Sequence, residues 1–275
     1  MKDNKIIEGV HHWATWWIRQ RRKKLIDELS GTMSLNPFIV PFLFDYHNLN
    51  SIEEFVDLFL ASHLMIGHNT GFGKLIDEKI LPEVFGTIKL DKNYRQLNPP
   101  LENSAFNEID HIVRREDGET ELLSLKAGKW TIQLSMAIQL NRSFSDILKY
   151  YSSYYNKIVV GVYYGKNEEL TDKYDILRGI NRGAVHHVKD ITHNVKIYAG
   201  QNFWSWLGNG KENTQYLVLE GITSAIEEVQ IKKDNKILMD KFKKTISNQF
   251  KDTLGIDSPN KWKLLLEKIN NGQSM

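Results

Sequence analysis

The residues best placed to do chemistry are Asp110, set among the apolar Ile109 and Ile112, and the pair Ser124 and Lys126 a short hairpin away. Two strand-like runs carry them, Phe106 to Arg114 and Thr120 to Lys126, joined by Glu116-Asp117-Gly118-Glu119. Side chains alternate across a strand, so Ser124 and Lys126 share one face while Leu123 and Leu125 take the other. A carboxylate and an ammonium on neighbouring strands form either an ordinary Asp–Lys contact or the start of a reactive site, and spacing alone leaves both readings open. Register separates them. A two-residue turn at Asp117-Gly118 would pair Asp110 with Leu125 and split the group. A three-residue loop, Glu116-Asp117-Gly118 with the glycine left-handed, sets Asp110 opposite Ser124 with Lys126 diagonally adjacent. The expectation is an odd-length loop or a bulge.

Other chemistry-bearing patterns are weaker. Gly67 to Gly73 suggests a phosphate loop, but the glycines are separated by one residue too many and Leu75 stands where a Ser or Thr belongs, so a glycine-shaped connecting loop is expected. The pairs His11-His12 and His186-His187 are adjacent and point apart, which argues against zinc. There is no cysteine, so disulfides and thiolate metal sites are excluded. Lys+Arg 36 against Asp+Glu 34 gives a net charge of +2, too balanced to argue for or against nucleic acid. One run, Arg19-Gln20-Arg21-Arg22-Lys23-Lys24, concentrates cations, and a solvated helix face explains it as well as a binding patch does.

The elements that must position these residues follow from periodicity. A long helix is expected from about Lys5 to Leu29, stopped by Ser30-Gly31; its tryptophans Trp13, Trp16 and Trp17 are too crowded to face one core. Asn36 to Phe44, with two prolines, reads as a buried loop. Ser51 and Glu54 form a capping box for the next helix, and a short helix runs from Lys74 to Leu81, ended by Pro82. After the hairpin come a helix from about Ile132 to Tyr155 and a buried strand from Lys157 to Tyr164. Further strands are expected at Tyr174 to Leu177 and Val195 to Tyr198, then helices at Phe203 to Leu207, Asn213 to Val229 and beyond Lys236. The fold class is α/β, a mixed sheet flanked by helices, with residues 61–231 as one domain and 1–60 with 232–275 as a helical region. No apolar run is long enough to span a membrane and the start lacks a signal core, so a cytoplasmic location is expected.

Asn107-Glu108-Ile109-Asp110 followed by Leu123-Ser124-Leu125-Lys126-Ala127-Gly128-Lys129-Trp130-Thr131 resembles the core of the PD-(D/E)xK restriction endonucleases. Over nearly its whole length the chain is similar to type II enzymes that cut the interrupted palindrome RGGNCCY, most clearly at Asp45-Tyr46-His47, Thr70 to Pro82 and Leu122 to Gln133. The resemblance implies a restriction-endonuclease-like core and Mg²⁺-dependent hydrolysis of double-stranded DNA leaving 5′-phosphates. It makes Asp110 and the Leu125 carbonyl the metal ligands and Lys126 the motif lysine. Ser124 departs from the motif carboxylate, and a hydroxyl is a poorer Mg²⁺ ligand, so another acid is expected to compensate: Glu78 first, Asp77 next.

An ordinary lysine, with a pKa near 10.4, is a poor base at neutral pH, so Lys126 either titrates lower or acts through its charge. Base and phosphate contacts are expected from Lys129, Trp130 and Gln133 after the catalytic strand. Arg178, Asn181, Arg182, His186 and His187, around a glycine-punctuated loop, are favoured for base reading. A palindromic target implies a homodimer, formed through the terminal helices, and a cognate methyltransferase that protects host DNA without needing to bind the enzyme. The competing reading is a DNA-binding protein of the same fold whose site is dead, which Ser124 keeps open.

Overall fold

The computed structural model describes residues 2–28, 36–259 and 261–270. In chain order it consists of α1 (Asp3–Glu28), α2 (Val40–Tyr46), α3 (Ile52–Leu75), a π-helix (Ile76–Val84), β1 (Ile88–Lys89), α4 (Lys92–Leu97), a 3-10 turn (Ser104–Glu108), β2 (His111–Arg114), β3 (Thr120–Lys126), α5 (Leu134–Tyr150), β4 (Ile158–Val162), α6 (Lys173–Ile176), β5 (Val195–Ala199), α7 (Gln201–Leu207), α8 (Thr214–Val229), α9 (Ile231–Asn248), a second π segment (Gln249–Thr253) and α10 (Trp262–Asn270). It is an α/β protein whose five strands lie in the order β1-β2-β3-β4-β5, antiparallel from β1 to β3 and parallel from β3 to β5. No helix among the described residues is long and apolar enough to cross a membrane.

The chain divides into two compact units. The first comprises Met1–Ala14 and Gly73–Ala225, the second Thr15–Phe72 and Ile226–Met275. These divisions fall within α1, α3 and α8, with no linker to mark them. In the first unit Leu122, Val160, Val162 and Ile112 pack one sheet face against Ala137, Leu140 and Phe144 of α5. In the second, Phe44, Phe55, Leu60, Phe242 and Phe250 form a separate helical core.

The local signals account for most elements. Ser51 Oγ accepts from the Glu54 N–H at 3.2 Å, and Glu54 reaches back to the Asn50 N–H at 2.7 Å, so the expected capping box opens α3. Continuous burial of Ile158 to Val162 matches a central parallel strand. The Ser30-Gly31 stop lies outside the described residues.

Several elements differ from expectation. Residues 106–108 belong to a 3-10 turn rather than to the strand, the helix expected to end at Pro82 continues to Val84, and α9 runs through 232–236 instead of starting after them. Val40–Tyr46 is helical, with Pro41 in the first turn where its missing N–H costs nothing. Residues 174–177 belong to a short helix and its cap rather than a strand, started by Asp172 and closed by the bond from the Leu177 N–H to the Lys173 carbonyl. The Gly67 to Gly73 stretch is continuous helix. A Cβ at Gly67 would stand 2.9 Å from Arg21 and one at Gly71 3.2 Å from the Trp17 indole, so these glycines admit α1 against α3 instead of bending a loop. Trp17 also meets Phe72 edge-on, while Trp16 stays exposed.

Candidate functional site

The hairpin closes as the register argument requires. Arg114 pairs with Thr120, and Arg115 receives and gives the last bonds around Glu116-Asp117-Gly118, with Gly118 at φ +87°. His111 faces Leu123, so the next pair outward is Asp110 with Ser124, and Lys126 lies two residues along the same face. Asp110 sits at the carboxyl end of β3, the end at which parallel sheets gather their ligand-binding loops.

Asp110 is fixed by backbone and side chain together. Its N–H donates to the Leu123 carbonyl at 2.8 Å, its carbonyl accepts from Leu90 at 2.8 Å, and its Oδ2 accepts from the Leu125 N–H at 2.6 Å. Arg95, which spacing did not single out, holds the approach to it by donating to the carbonyls of Leu90, Phe106 and Ile109. Burial pushes the Asp110 carboxyl above its usual range, opposed by the Lys126 charge and the Leu125 N–H, with Asp77 adding to the upward push. Beside it the Ser124 hydroxyl is fully buried and has no hydrogen-bond partner. It shares this state with the buried hydroxyls of Ser145 and Thr171, but it alone of these lies beside a desolvated carboxylate.

Asp77, not Glu78, is the acid whose charge acts on Asp110. Its Oδ1 pairs with His111 Nε2 at 2.8 Å, Lys89 bonds its Oδ2, and the fully buried His111 holds Thr87 through Nδ1 at 3.0 Å. Burial alone would raise the Asp77 carboxyl, but the His111 and Lys89 contacts outweigh it and keep it low. Glu78 is exposed. Helical periodicity could not separate these neighbours because the segment is a π-helix. Pro82 has no N–H and its ring displaces the carbonyl one turn back, which widens the turn and alters the angular step.

The loops around this sheet end carry the other expected residues. The turn after β3 is locked by Thr131, whose Oγ1 accepts from the Gly128 N–H at 2.9 Å, and by Tyr174, whose hydroxyl donates to the Gly128 carbonyl at 2.9 Å. It presents Lys129, 3.8 Å from Glu169, and Trp130, 79% exposed; Gln133 is exposed just before α5. In the 178–190 loop, Asp175 takes Arg178 at 2.9 Å and Arg182 at 2.5 Å. His187 is exposed and His186 half-buried. Asn181 is exposed and bonds within the loop. Its Oδ1 accepts from the His186 N–H at 2.9 Å, closing the loop on itself.

Among the described residues no three His, Cys, Asp or Glu side chains form a cluster able to hold a metal. Two carboxylates, Asp110 and Asp77, with the Ser124 hydroxyl are what the site offers. Mg²⁺ is compatible with so small a set, because it keeps several waters and takes the remaining ligands from substrate phosphates. No protein-family model matches the chain, and no curated protein matches it.

Proposed function

We propose that the chain is a Mg²⁺-dependent type II restriction endonuclease that hydrolyses double-stranded DNA at an interrupted palindrome, RGGNCCY by resemblance, leaving 5′-phosphates. The observation that carries this reading is the shared face of Asp110, Ser124 and Lys126 at the carboxyl end of β3, with a desolvated carboxylate and an unpartnered buried hydroxyl side by side. A surface salt bridge would need neither.

Asp110 would hold the metal, aided by the Leu125 carbonyl, with Asp77 compensating for Ser124 in place of Glu78. When bound, Mg²⁺ supplies stabilisation of the charge that builds on the phosphorane-like transition state. Lys126 orients the attacking water and adds positive charge beside the scissile phosphate. His111 and Lys89 keep Asp77 ionised and aimed. Lys129, Trp130 and Gln133 meet the backbone near the cut, and Arg178, Arg182, His186 and His187 line the recognition loop. A palindrome calls for a homodimer, and the exposed Phe38, Ile39, Phe42, Tyr46, Met65 and Ile66 of the helical unit favour that region for it.

The second reading, an inactive DNA-binding protein of the same fold, is favoured by Ser124 and by the missing third metal-ligating side chain among the described residues. Incubating plasmid DNA with the protein, with and without Mg²⁺, separates the two. Discrete metal-dependent fragments are expected; salt-sensitive binding with intact DNA would establish the alternative.

A further inference from the structure

Asn141 occupies a position where the amphipathic pattern of α5 calls for an apolar residue. Its neighbours on the buried face are Ala137, Leu140 and Phe144, and it is itself only 1% exposed. A buried amide is costly unless its groups are bonded, and here they are. Nδ2 donates to the carbonyls of Leu177 at 3.1 Å and Lys189 at 2.8 Å, while Oδ1 accepts from the Lys189 N–H at 2.9 Å. These two residues are the opposite sides of the neck of the 178–190 loop. The neck is drawn tight: Ile191 N–H donates to the Arg178 carbonyl at 2.9 Å, and Gly179, at φ +94°, would put a Cβ 2.0 Å from the Lys189 carbonyl oxygen.

We infer that Asn141 is a positioning residue for DNA recognition, clamping the 178–190 loop so that its arginines are presented in one fixed arrangement to the duplex. The inference rests on the endonuclease reading above and extends it to how recognition is tied to cutting. The helix that carries Asn141 follows Lys126 after a single turn, and that turn is itself bonded to the loop's leading element through Tyr174 and Gly128. The loop and the catalytic strand are therefore referenced to the same rigid helix. A loop ordered before binding loses less conformational entropy on the DNA, which favours a low KM and sharp discrimination without touching the chemical step.

Asn141→Ser shortens the side chain out of reach of the neck. In the full-length protein, the Lys189 amide should exchange with solvent faster than in wild type. KM for a cognate duplex should rise about tenfold with kcat within about threefold, and cutting of singly substituted sites should gain about tenfold relative to cognate. Gly179→Ala, which pries the same neck open from the other side, should give the same pattern if Asn141→Ser folds poorly. Unchanged Lys189 exchange would overturn the clamp. Faster exchange with wild-type KM and discrimination, or equal losses in kcat and kcat/KM, would overturn its role in recognition. If wild type neither binds nor cuts DNA, the endonuclease reading fails, and the exchange measurement still judges the clamp.

Discussion

The two ends of β3 partner their charged groups to different degrees. At the hairpin end, Arg115 pairs with Glu121 at 2.6 Å, donates to the Trp206 carbonyl at 2.9 Å and to Asn209 at 2.7 Å, and stacks on the Trp206 ring at 4.5 Å. At the other end, Asp110 is desolvated and raised in pKa, next to a hydroxyl that bonds nothing. A cavity of about 660 Å³ opens at the first end, lined by Arg115, Glu121, Tyr198 and Trp206. The ends differ in degree: Arg115 has a carboxylate, two further oxygens and a ring around it although its Nη2 lacks a partner, whereas Asp110 has one N–H and one nearby ammonium.

The sharpest way to break this contrast is to remove one charge from each end. Lys126→Ala should lower cleavage on the order of a thousandfold while duplex affinity, measured by gel shift in Ca²⁺, stays within about threefold. Near-normal cutting would remove Lys126 from the chemistry. Arg115→Ala should do the reverse, destabilising by about 2 kcal/mol in urea titration because Glu121 loses its charge partner and keeps only the Trp206 indole N–H at 3.1 Å, with the specific activity of folded protein retained.

Asp77 and Glu78 give a finer test at the reactive end. Asp77→Asn should cost about ten- to a hundredfold in cleavage, as loss of an outer partner or weak ligand does, and Glu78→Gln should stay within about twofold. The Asp77 carboxyl is held below its ordinary value of 3.8, so its contribution to stability is present above that pH and is lost as pH falls through the lower folded value. The stability gap between wild type and Asp77→Asn should accordingly close in strong acid. A gap that persists unchanged into strong acid would mean the carboxylate's ionisation is not what the variant removes.

How legible this site is depends on which period governs each segment. Strand alternation has a period of two, so counting residues narrows the register to two choices, and the three-residue loop with Gly118 at positive φ selects the one that faces Asp110 to Ser124. The choice between Asp77 and Glu78 does not, since Pro82 imposes a π-helical step that a 3.6-residue period misplaces. Gly67 and Gly71 read wrongly as a loop because a glycine required by a close helix neighbour looks, in one sequence, like a glycine required by a turn. Arg95 and Asn141 are invisible for another reason: their partners are backbone carbonyls and, for Asn141, a backbone N–H, which almost any residue supplies. Asp175 escapes notice beside the arginines it holds.

The smallest expected effect tests the idea of stored charge most directly. Burial raises the Asp110 carboxyl, so in the metal-free protein the charged form is disfavoured relative to an exposed acid. Its stabilising contribution is complete below the unfolded value of 3.8 and is lost as pH rises through the higher folded value. Asparagine at 110 mimics the neutral acid and can keep the bond from the Leu125 N–H. In EDTA, Asp110→Asn should therefore melt about 2–4 °C above wild type at neutral pH, with the advantage shrinking as pH falls toward 3.8. Adding Mg²⁺ should raise the wild-type melting temperature and leave the variant where it was. A variant that melts below wild type in EDTA at neutral pH would show that Lys126 and Leu125 already compensate the carboxylate, and the two ends of β3 would then differ in kind of partner rather than in sufficiency.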